Sequence, residues 1–324
     1  MNRSSRASRR PAIRARALTA AIVGCYATAP AWAASLPTDM NVVAGSATAS
    51  QVGNVLTIKN SNGAILGWSS FNIGAGFTVH FDQAASSSVL NRVAAGNPSA
   101  IYGTLSSPGK VWLINPSGIM IGPSGLINTG GFIASTLDVA NADFLAGRLN
   151  FQKTPGAGDV VNQGTIATPS GGSVYLVGAN VSNEGIITTP QGETLLAAGE
   201  TVSLVDTGTP GVSVQITGAA GNTTNLGQIV AEAGRIGMAG VIVRNSGILN
   251  ASSVVSEGGR IFLKATQDTY VEGNAQLSAN GTTGGRIEVL GNRVAVIDNA
   301  SIDASGTNAG GVVLVGGDYQ GKNP

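Results

Sequence analysis

The sequence predicts an all-β protein that forms a right-handed parallel β-helix with capping strands at its N-terminal end. Glycine accounts for 47 of the 324 residues, charged residues make up only 11%, and short alternating apolar segments recur at a regular spacing. Because average globular proteins are about 25% charged, a helical protein with many surface ion pairs is excluded. The apolar fraction of 43% argues against a disordered chain.

The first repeated marker is a Gly-Gly pair followed by alternating apolar residues. It begins at Gly171, Gly258, Gly284 and Gly310, and the last three copies recur with a period of 26. In the copy after Gly284, residues 287 and 289 are apolar whereas residues 286 and 288 are charged. This period-two pattern predicts a strand that buries the side chains of 287 and 289 and exposes those of 286 and 288.

The second marker, Asn-x-Gly-x-Ile/Leu, begins at Asn162, Asn183, Asn225 and Asn245. The successive spacings are 21, 42 and 20, and we interpret the 42 as two periods of 21. Asn and Gly favour tight turns, so three short strands per unit indicate one coil of a single-stranded, pectin-lyase-like solenoid. No regular leucine pattern supports a leucine-rich repeat, and a β-propeller needs blades of about 40 residues.

The ends of such a solenoid need protection because unpaired strand edges promote aggregation. Residues 34–60 lack the repeat markers and are predicted to form the N-terminal cap. We divide the chain into residues 1–33, the cap and first coils at 34–150, and further coils at 151–324. Because the repeats run to the last residues without a cap, we expect a longer native protein or a truncated reading frame.

Residues 1–33 are predicted to be a secretory signal peptide. Six arginines within the first 16 positions precede a short apolar run that ends in Ala31-Trp-Ala33. The apolar run is shorter than the roughly 20 residues of a membrane span. We expect cleavage after Ala33, so that the mature chain begins at Ala34. A retained anchor and a lipoprotein cleaved before Cys25 are the alternatives.

The charge beyond the signal peptide indicates which partners the chain lacks. Residues 34–324 carry 12 basic and 17 acidic side chains, scattered along the sequence. A mildly acidic chain without a basic patch gives no indication of nucleic-acid binding. The sequence also contains no motif for a small-molecule cofactor, and we expect none.

Three phrases in the N-terminal part of the chain together identify a family. Their combination resembles the two-partner-secretion domain, the haemagglutination-activity domain of filamentous-haemagglutinin-like exoproteins. The resemblance covers residues 36–150 closely, and the repeats continue it to the end of the chain. The three phrases are Trp68 with Phe71-Asn72-Ile73-Gly74, Leu90-Asn91-Arg92-Val93, and Asn115-Pro116-Ser117-Gly118-Ile119.

The resemblance implies a role in export. In this family the domain is bound in the periplasm of a Gram-negative bacterium by POTRA modules of an outer-membrane β-barrel transporter. The chain then crosses the outer membrane and folds as a β-helix at the cell surface. Adhesion to a host or neighbouring cell, or haemagglutination, is the expected role of the secreted protein. Haem capture and toxin delivery are other roles found in the family.

The segment Asn115–Ile119 corresponds to the family's Asn-Pro-Asn-Gly-Ile motif, with Ser117 in place of the middle Asn. Pro116 presets its own φ, and Asn115 can accept a hydrogen bond from the backbone two residues on, so the segment predicts a tight turn. The turn has two possible roles, recognition by the transporter or closure of a coil, and the two are compatible. A second family motif, Asn-Pro-Asn-Leu, has only a loose counterpart at residues 60–63.

Bulky aromatic residues in the same region are predicted to pack in the core and under the cap instead of contacting a ligand. They are Trp68, Phe71, Phe77, Phe81 and Trp112.

An enzymatic role is the alternative to an export role. His80 is the sole histidine, so no Cys/His metal site is expected, and no nucleophile elbow or P-loop is present. A β-helical polysaccharide-acting enzyme would need carboxylates grouped with a cation. Asp298 and Asp303, with Arg293 nearby, are the best candidates in the sequence.

Overall fold

The structure is a computed structural model that describes residues 36–94, 96–206, 212–218 and 220–316. The predicted signal peptide lies outside these ranges, as do its cleavage residues Ala31, Ala33 and Ala34 and the lipidation candidate Cys25. The elements assigned within these ranges amount to about 60% strand and 2% helix, and the strands form a parallel β-helix, which confirms the predicted fold class. Within the described ranges, no helix is both long and apolar enough to cross a membrane.

The described residues form 32 strands and one short helix. In chain order they are β1 Asn41–Ala44, β2 Ala47–Val52, β3 Val55–Asn60, β4 Ala64–Trp68, β5 Thr78–Asp82, β6 Ser88–Val93, β7 Ser99–Ile101, β8 Thr104–Ile114, β9 Ile119–Ile121, β10 Leu126–Ser135, β11 Asp138–Val139, α1 Asn141–Leu145, β12 Leu149–Gln152, β13 Asp159–Asn162, β14 Thr165–Ala167, β15 Ser173–Gly178, β16 Asn180–Asn183, β17 Ile186–Thr188, β18 Glu193–Ala198, β19 Thr201–Asp206, β20 Val212–Thr217, β21 Asn222–Asn225, β22 Gln228–Val230, β23 Arg235–Asn245, β24 Ile248–Asn250, β25 Arg260–Val271, β26 Gln276–Ser278, β27 Gly281–Thr283, β28 Arg286–Leu290, β29 Arg293–Val296, β30 Ser301–Asp303, β31 Gly306–Ala309 and β32 Val312–Val315.

Three parallel faces make up the solenoid. The first face stacks β3, β5, the start of β8 and of β10, β14, β17, β22, β24, β26 and β30. The second face stacks β4, β6, the end of β8 and of β10, β15, β18, the start of β23 and of β25, β28 and β32. The third face stacks β7, β9, β13, β16, β21, the end of β23 and of β25, and β29.

The interior of the solenoid is filled by alternate side chains of these faces. Ile287 and Val289 are fully buried, whereas Arg286 and Glu288 point outward, as predicted. The first face contributes one column of inward residues, one residue from each coil, and in-register stacking places each on its counterpart in the next coil. From the N-terminal to the C-terminal coil the column is Leu56, Val79, Leu105, Ile127, Ile166, Ile187, Ile229, Leu249, Leu277 and Ile302.

The asparagines of the second marker form a buried ladder inside the solenoid. Each ends a strand of the third face, and all four side chains are fully buried. The amide of Asn162 donates to the side-chain oxygen of Asn183 at 2.7 Å, Asn183 donates to Asn225 at 2.8 Å, and Asn225 donates to Asn245 at 2.7 Å. These bonds satisfy polar groups that would otherwise be costly to bury.

The longest spacing in this marker, from Asn183 to Asn225, is a single coil, so its interpretation as two periods was wrong. Asn183 pairs directly with Asn225 in the parallel register. The extra residues leave the solenoid as an insertion that contains β19 and β20. A similar insertion lies between β10 and β13, since Asn128 pairs directly with Ala167.

The N-terminal cap consists of β1 and β2. These two strands pair antiparallel with β4 and β3, respectively, and cover the first coil. β3 lies within the segment predicted as cap, yet it already pairs in parallel with β5. The cap is therefore shorter than the sequence indicated, and the first coil begins at Val55.

The two insertions meet on the outside of the second face. The first insertion (residues 136–158) contributes β11, α1 and β12, and the second insertion (residues 199–221) contributes β19 and β20. Together their strands form one antiparallel sheet in the order β11-β12-β19-β20. We call this sheet and α1 the clasp.

The clasp covers a second hydrophobic core, separate from that inside the solenoid. On the solenoid side this core contains outward side chains from successive coils, among them Ile65, Leu90, Trp112, Ile133, Tyr175 and Leu195. On the clasp side it contains Leu137, Val139, Phe144, Phe151, Val202 and Leu204.

Candidate functional site

The phrases around Trp68 and Asn91 meet inside the first coils. Trp68 in β4 and Asn91 in β6 are both buried, and the indole N–H donates to the Asn91 side-chain oxygen at 2.9 Å. The Asn91 amide donates in turn to the carbonyl of Trp112 at 3.2 Å. Phe71 packs edge-on against Trp68 with 5.5 Å between ring centroids. These residues join three neighbouring coils by buried polar and aromatic contacts.

Arg92, the next residue in β6, points outward and holds the first insertion. Its Nε donates to Asp138 Oδ1 at 3.0 Å, its Nη2 to the carbonyl of Val139 at 2.7 Å, and its Nη1 to Asn141 Oδ1 at 2.9 Å. A planar guanidinium suits this arrangement because its donors are fixed in a fork. The sequence singled out Arg92 as part of a motif but did not show what it binds.

The segment Asn115–Gly118 is a tight turn, as predicted. The Gly118 N–H donates to the Asn115 carbonyl at 3.1 Å, and the Ser117 N–H donates to Asn115 Oδ1 at 3.0 Å. Gly118 has φ of +126°, a conformation that residues with a Cβ rarely adopt. Ile119 continues from the turn into β9 and is buried.

The turn is bound to its neighbours on both sides. Asn115 is fully buried, and its amide donates to the carbonyl of Asn97 at 3.0 Å and to Ser99 Oγ at 2.9 Å. Ser117 Oγ accepts from the Gly96 N–H at 2.9 Å. Pro116 and Ser117 are only half-buried. A partner of the folded domain can therefore reach these two residues, whereas Asn115 is inaccessible.

The predicted core aromatics are in the core. Trp68, Phe71, Phe81 and Trp112 are at most 4% exposed, and Phe77 is partly buried against the solenoid interior. Trp112 differs from the others because it faces the clasp. Its ring lies edge-on to Phe144 at 5.2 Å and stacks with Phe151 at 6.1 Å between centroids. The sequence carried no signal for this second core.

The acidic residues proposed for an enzymatic site serve separate structural contacts. Asp303 accepts hydrogen bonds from Asn280 and Ser305, which lower the pKa of its carboxyl. Asp298 accepts from the Gly273 N–H at 3.0 Å. Arg293 makes a double hydrogen bond with Asp268, at 2.6 and 2.7 Å, and that bond lowers the pKa of Asp268.

An open groove of about 550 Å³ runs along the turns after the third face. Glu184 is the one ionisable residue among the described residues that line it, whereas glycoside hydrolysis uses a pair of carboxyl groups. His80 lies outside this groove and makes a 2.9 Å hydrogen bond with Ser106. In the part of the chain that the structure describes, no three His, Cys, Asp or Glu residues are grouped to hold a metal ion.

One buried cluster of ionisable groups lies on the second face. The Tyr175 hydroxyl donates to Glu193 Oε2 at 2.7 Å, and Glu193 is only 5% exposed. The other Glu193 oxygen lies 3.4 Å from Arg235 Nε, which belongs to the next coil. Burial, together with the neighbouring Glu193, raises the pKa of Tyr175 far above its ordinary value of 10.0. The cluster therefore joins three successive coils, two of which precede the second insertion and one of which follows it.

The capped parallel β-helix, its Asn-centred contacts between early coils and its external clasp define a class of capped β-solenoid domains. The model of one sequence family, the TPS secretion domain, matches residues 33–277, and this chain belongs to that family. The resemblance drawn from the three N-terminal phrases is thereby confirmed. The chain carries the secretion domain of a two-partner-secretion exoprotein of Gram-negative bacteria, and such a domain implies a cognate outer-membrane transporter.

Two curated relatives from Haemophilus influenzae match part of the chain. The Heme/hemopexin-binding protein of strain ATCC 51907 / DSM 11121 / KW20 / Rd is 41% identical over 109 residues, which cover 33% of this chain and 12% of that protein. Another H. influenzae Heme/hemopexin-binding protein is 37% identical over 125 residues, covering 38% and 13%, respectively. The matched segments thus span a small part of these relatives.

Two solved structures share the fold. The HMW1 secretion domain from Haemophilus influenzae superposes with a TM-score of 0.82 at 37% identity, over 88% of this chain and 78% of that one. The filamentous hemagglutinin secretion domain gives a TM-score of 0.55 at 20% identity, over 87% and 99%. The second comparison supports the β-helix fold alone.

Proposed function

We propose that POTRA modules of the cognate outer-membrane β-barrel transporter bind this domain in the periplasm. The chain then crosses the outer membrane and folds as a β-helix at the cell surface. The observation that carries the proposal is the Asn115–Gly118 turn, in which half-buried Pro116 and Ser117 stand on a fully buried Asn115. A partner could contact the first two, while Asn115 fixes the shape of the turn.

Binding of the purified chain to the transporter's POTRA domains tests this proposal. The chain offers a matched control because a second Pro-Ser-Gly turn, Pro123-Ser124-Gly125, lies in the same coil and is more exposed. We expect the double substitution Pro116→Ala, Ser117→Ala to weaken binding about tenfold or more, as for loss of a binding hot spot. The double substitution Pro123→Ala, Ser124→Ala should bind as the unchanged chain does.

If the two double variants bind equally well, the Asn115–Gly118 turn closes a coil and is not recognised by the transporter. If the unchanged chain fails to bind the POTRA domains in both its folded and its unfolded form, the transporter-recognition proposal is wrong. Circular dichroism of each variant establishes that the β-sheet content is preserved.

For the secreted protein we propose a non-enzymatic role in adhesion or haemagglutination. The groove with one carboxylate and the structural use of Asp298 and Asp303 support a non-enzymatic role. Agglutination of erythrocytes by the purified chain tests this role. If only a longer exoprotein agglutinates erythrocytes, the region responsible lies outside this domain.

Binding of haem or hemopexin is a second candidate because of the two curated relatives. To distinguish this candidate from adhesion, we would test whether the immobilised chain captures hemopexin, both with and without bound haem. Capture that is absent here but present in a longer exoprotein would assign haem or hemopexin binding to a region outside this domain.

A further inference from the structure

Charge is distributed unevenly over the three faces of the solenoid. On the second face, Arg235, Arg260 and Arg286 stand in register on successive coils, and on the third face Arg293 binds Asp268. From β14 to β26, in contrast, the outward side chains of the first face are all uncharged. They are Thr165, Ala167, Ile186, Thr188, Gln228, Val230, Ile248, Asn250, Gln276 and Ser278. The surface that borders the groove after the third face is therefore neutral.

The groove lies between two rows of side chains at the corner where the third face gives way to the first. One row is formed by the variable residue of the Asn-x-Gly marker, and the other by the residue that follows the glycine. The first row is Gln163, Glu184, Leu226 and Ser246, and the second is Thr165, Ile186, Gln228 and Ile248. Ile186 is 44% exposed and Leu226 is 55% exposed, so the described part of the chain leaves both open to a ligand.

The glycine backbone between the two rows is already used in bonds between coils. The Gly185 N–H donates to the Asn162 carbonyl at 3.0 Å, and the Gly185 carbonyl accepts the Gln228 N–H at 2.9 Å. Gly227 makes both kinds of bond one coil further along. An extended peptide that binds by strand addition needs a free strand edge. A ligand of the groove must therefore be recognised by side chains.

The side chains of the groove suit a ligand that carries hydroxyl groups and no charge. Amides such as those of Gln228 and Asn274 both donate and accept hydrogen bonds, as hydroxyl groups do. Gln163 Nε2 donates to Glu184 Oε2 at 3.0 Å, and because a carboxylate offers about four acceptor sites, Glu184 can still accept from hydroxyl groups. No cation is among the described residues that line the groove, so an anionic ligand would meet Glu184 without compensation.

We propose that the groove binds an uncharged oligosaccharide that lies along the axis of the solenoid. The C–H surfaces of the sugar rings pack on the aliphatic side chains of the two rows, and the hydroxyl groups bond to Glu184 and to the amides. The lining extends from the coil of β10 to that of β26, five coil spacings of about 4.8 Å each, so several sugar units fit in line. The proposal rests on the adhesion function, which it deepens by naming the class of ligand.

Binding of the full chain to immobilised linear oligosaccharides tests the proposal. The probes are neutral chains of hexoses and N-acetylhexosamines, together with sialylated and sulphated forms of the same chains. The variant Leu226→Ala, Gln228→Ala removes one side chain from each row, and the control Thr224→Ala, Val230→Ala changes outward residues of β21 and β22 that do not line the groove. We expect a neutral probe to bind, the groove variant to bind it about tenfold or more weakly, and the control to bind it as the unchanged chain does.

Three further results would overturn the proposal. The first is an equal effect of the two double variants on binding, and the second is preference for the sialylated or sulphated probes. Affinity for a neutral ligand should be the same at low and high ionic strength, whereas affinity for a charged one falls as salt is added. The third is a dimer of the chain alone, seen by sedimentation and lost in the groove variant, which would assign the groove to a second copy.

Capture of erythrocytes by the immobilised chain separates this proposal from the adhesion function. If erythrocytes are captured but the neutral oligosaccharides neither bind nor compete, the oligosaccharide site is wrong and adhesion stands. If a neutral oligosaccharide binds in the groove but erythrocytes are not captured, the site stands and adhesion to these cells is wrong.

Discussion

At the scale of single residues, the same side chains that carry the family motifs carry the contacts between coils. Asn91 bonds both Trp68 and the strand that bears Trp112, and Asn115 bonds three separate backbone or side-chain groups. The sequence predicts the bond between Asn115 and the Ser117 N–H but not the other partners, because each of those lies on another coil. Turn propensity alone explains Asn115, whereas the asparagine ladder depends on stacking that no local pattern reveals.

The ladder predicts a large cost for losing one buried amide. In Asn183→Ala, the Asn162 amide and the Asn225 oxygen lose their partner while they stay buried. We expect the free energy of unfolding in urea to fall by about 2 to 5 kcal/mol. The neighbouring outward substitution Ser182→Ala should change it by about 0.5 kcal/mol or less. Similar losses in the two variants would contradict a stabilising ladder.

Tyr175 predicts a loss of stability at alkaline pH. Its pKa in the folded chain is raised above the ordinary value of 10.0. The contribution of the protonated Tyr175 to the free energy of unfolding is therefore complete below pH 10. It is lost as the pH rises above 10 towards the pKa of the folded chain. Near-ultraviolet absorbance should show one tyrosine that ionises only as the chain unfolds. Tyr175→Phe should lack this phase, and the same phase in both proteins would assign it to another tyrosine.

At the scale of elements, strands were predictable and insertions were not. Alternation of apolar residues predicts β28 because the pattern is local. The pairing of β12 with β19 escaped prediction because its two strands are far apart in the sequence and carry no repeat marker. The length of the second insertion is about one period, so the sequence there resembled an additional coil.

The conformation of the Asn115–Gly118 turn predicts that position 118 requires glycine. Gly118→Ala would force a Cβ into φ of +126°, and we expect a loss of about 1 to 3 kcal/mol in the free energy of unfolding. Gly310 lacks a positive φ and has open space around it, so Gly310→Ala is the control. Equal stability of Gly118→Ala and the unchanged chain would mean that the turn can relax.

At the scale of the whole molecule, a solenoid of stacked coils distributes stability along one axis. Each coil contacts mainly its neighbours, so the effect of a substitution should remain local. The family match and the fold could be anticipated from residues 36–150, where the motifs lie, together with the repeats. The external clasp, in contrast, connects coils beyond nearest neighbours, which a repeat-based prediction omits.

Two large-to-small substitutions test this locality. Ile287→Ala lies in a C-terminal coil and Leu105→Ala in an N-terminal one, and both residues are fully buried. We expect each to cost about 2 to 5 kcal/mol and to increase hydrogen exchange mainly in its own and adjacent coils. Loss of protection throughout the chain from Ile287→Ala would show that the solenoid unfolds as one cooperative unit.

Both insertions and the Asn115–Gly118 turn leave the solenoid at one corner, where the second face gives way to the third. Other coils cross that corner in few residues, such as Gly291 and Asn292 between β28 and β29. Loops can lengthen there without disturbing the interior, since neither flanking strand changes register. A guest peptide grafted between Gly291 and Asn292 should therefore be displayed on the same side as the clasp. Each coil has an equivalent position at this corner, and new surface loops can be inserted at any of them.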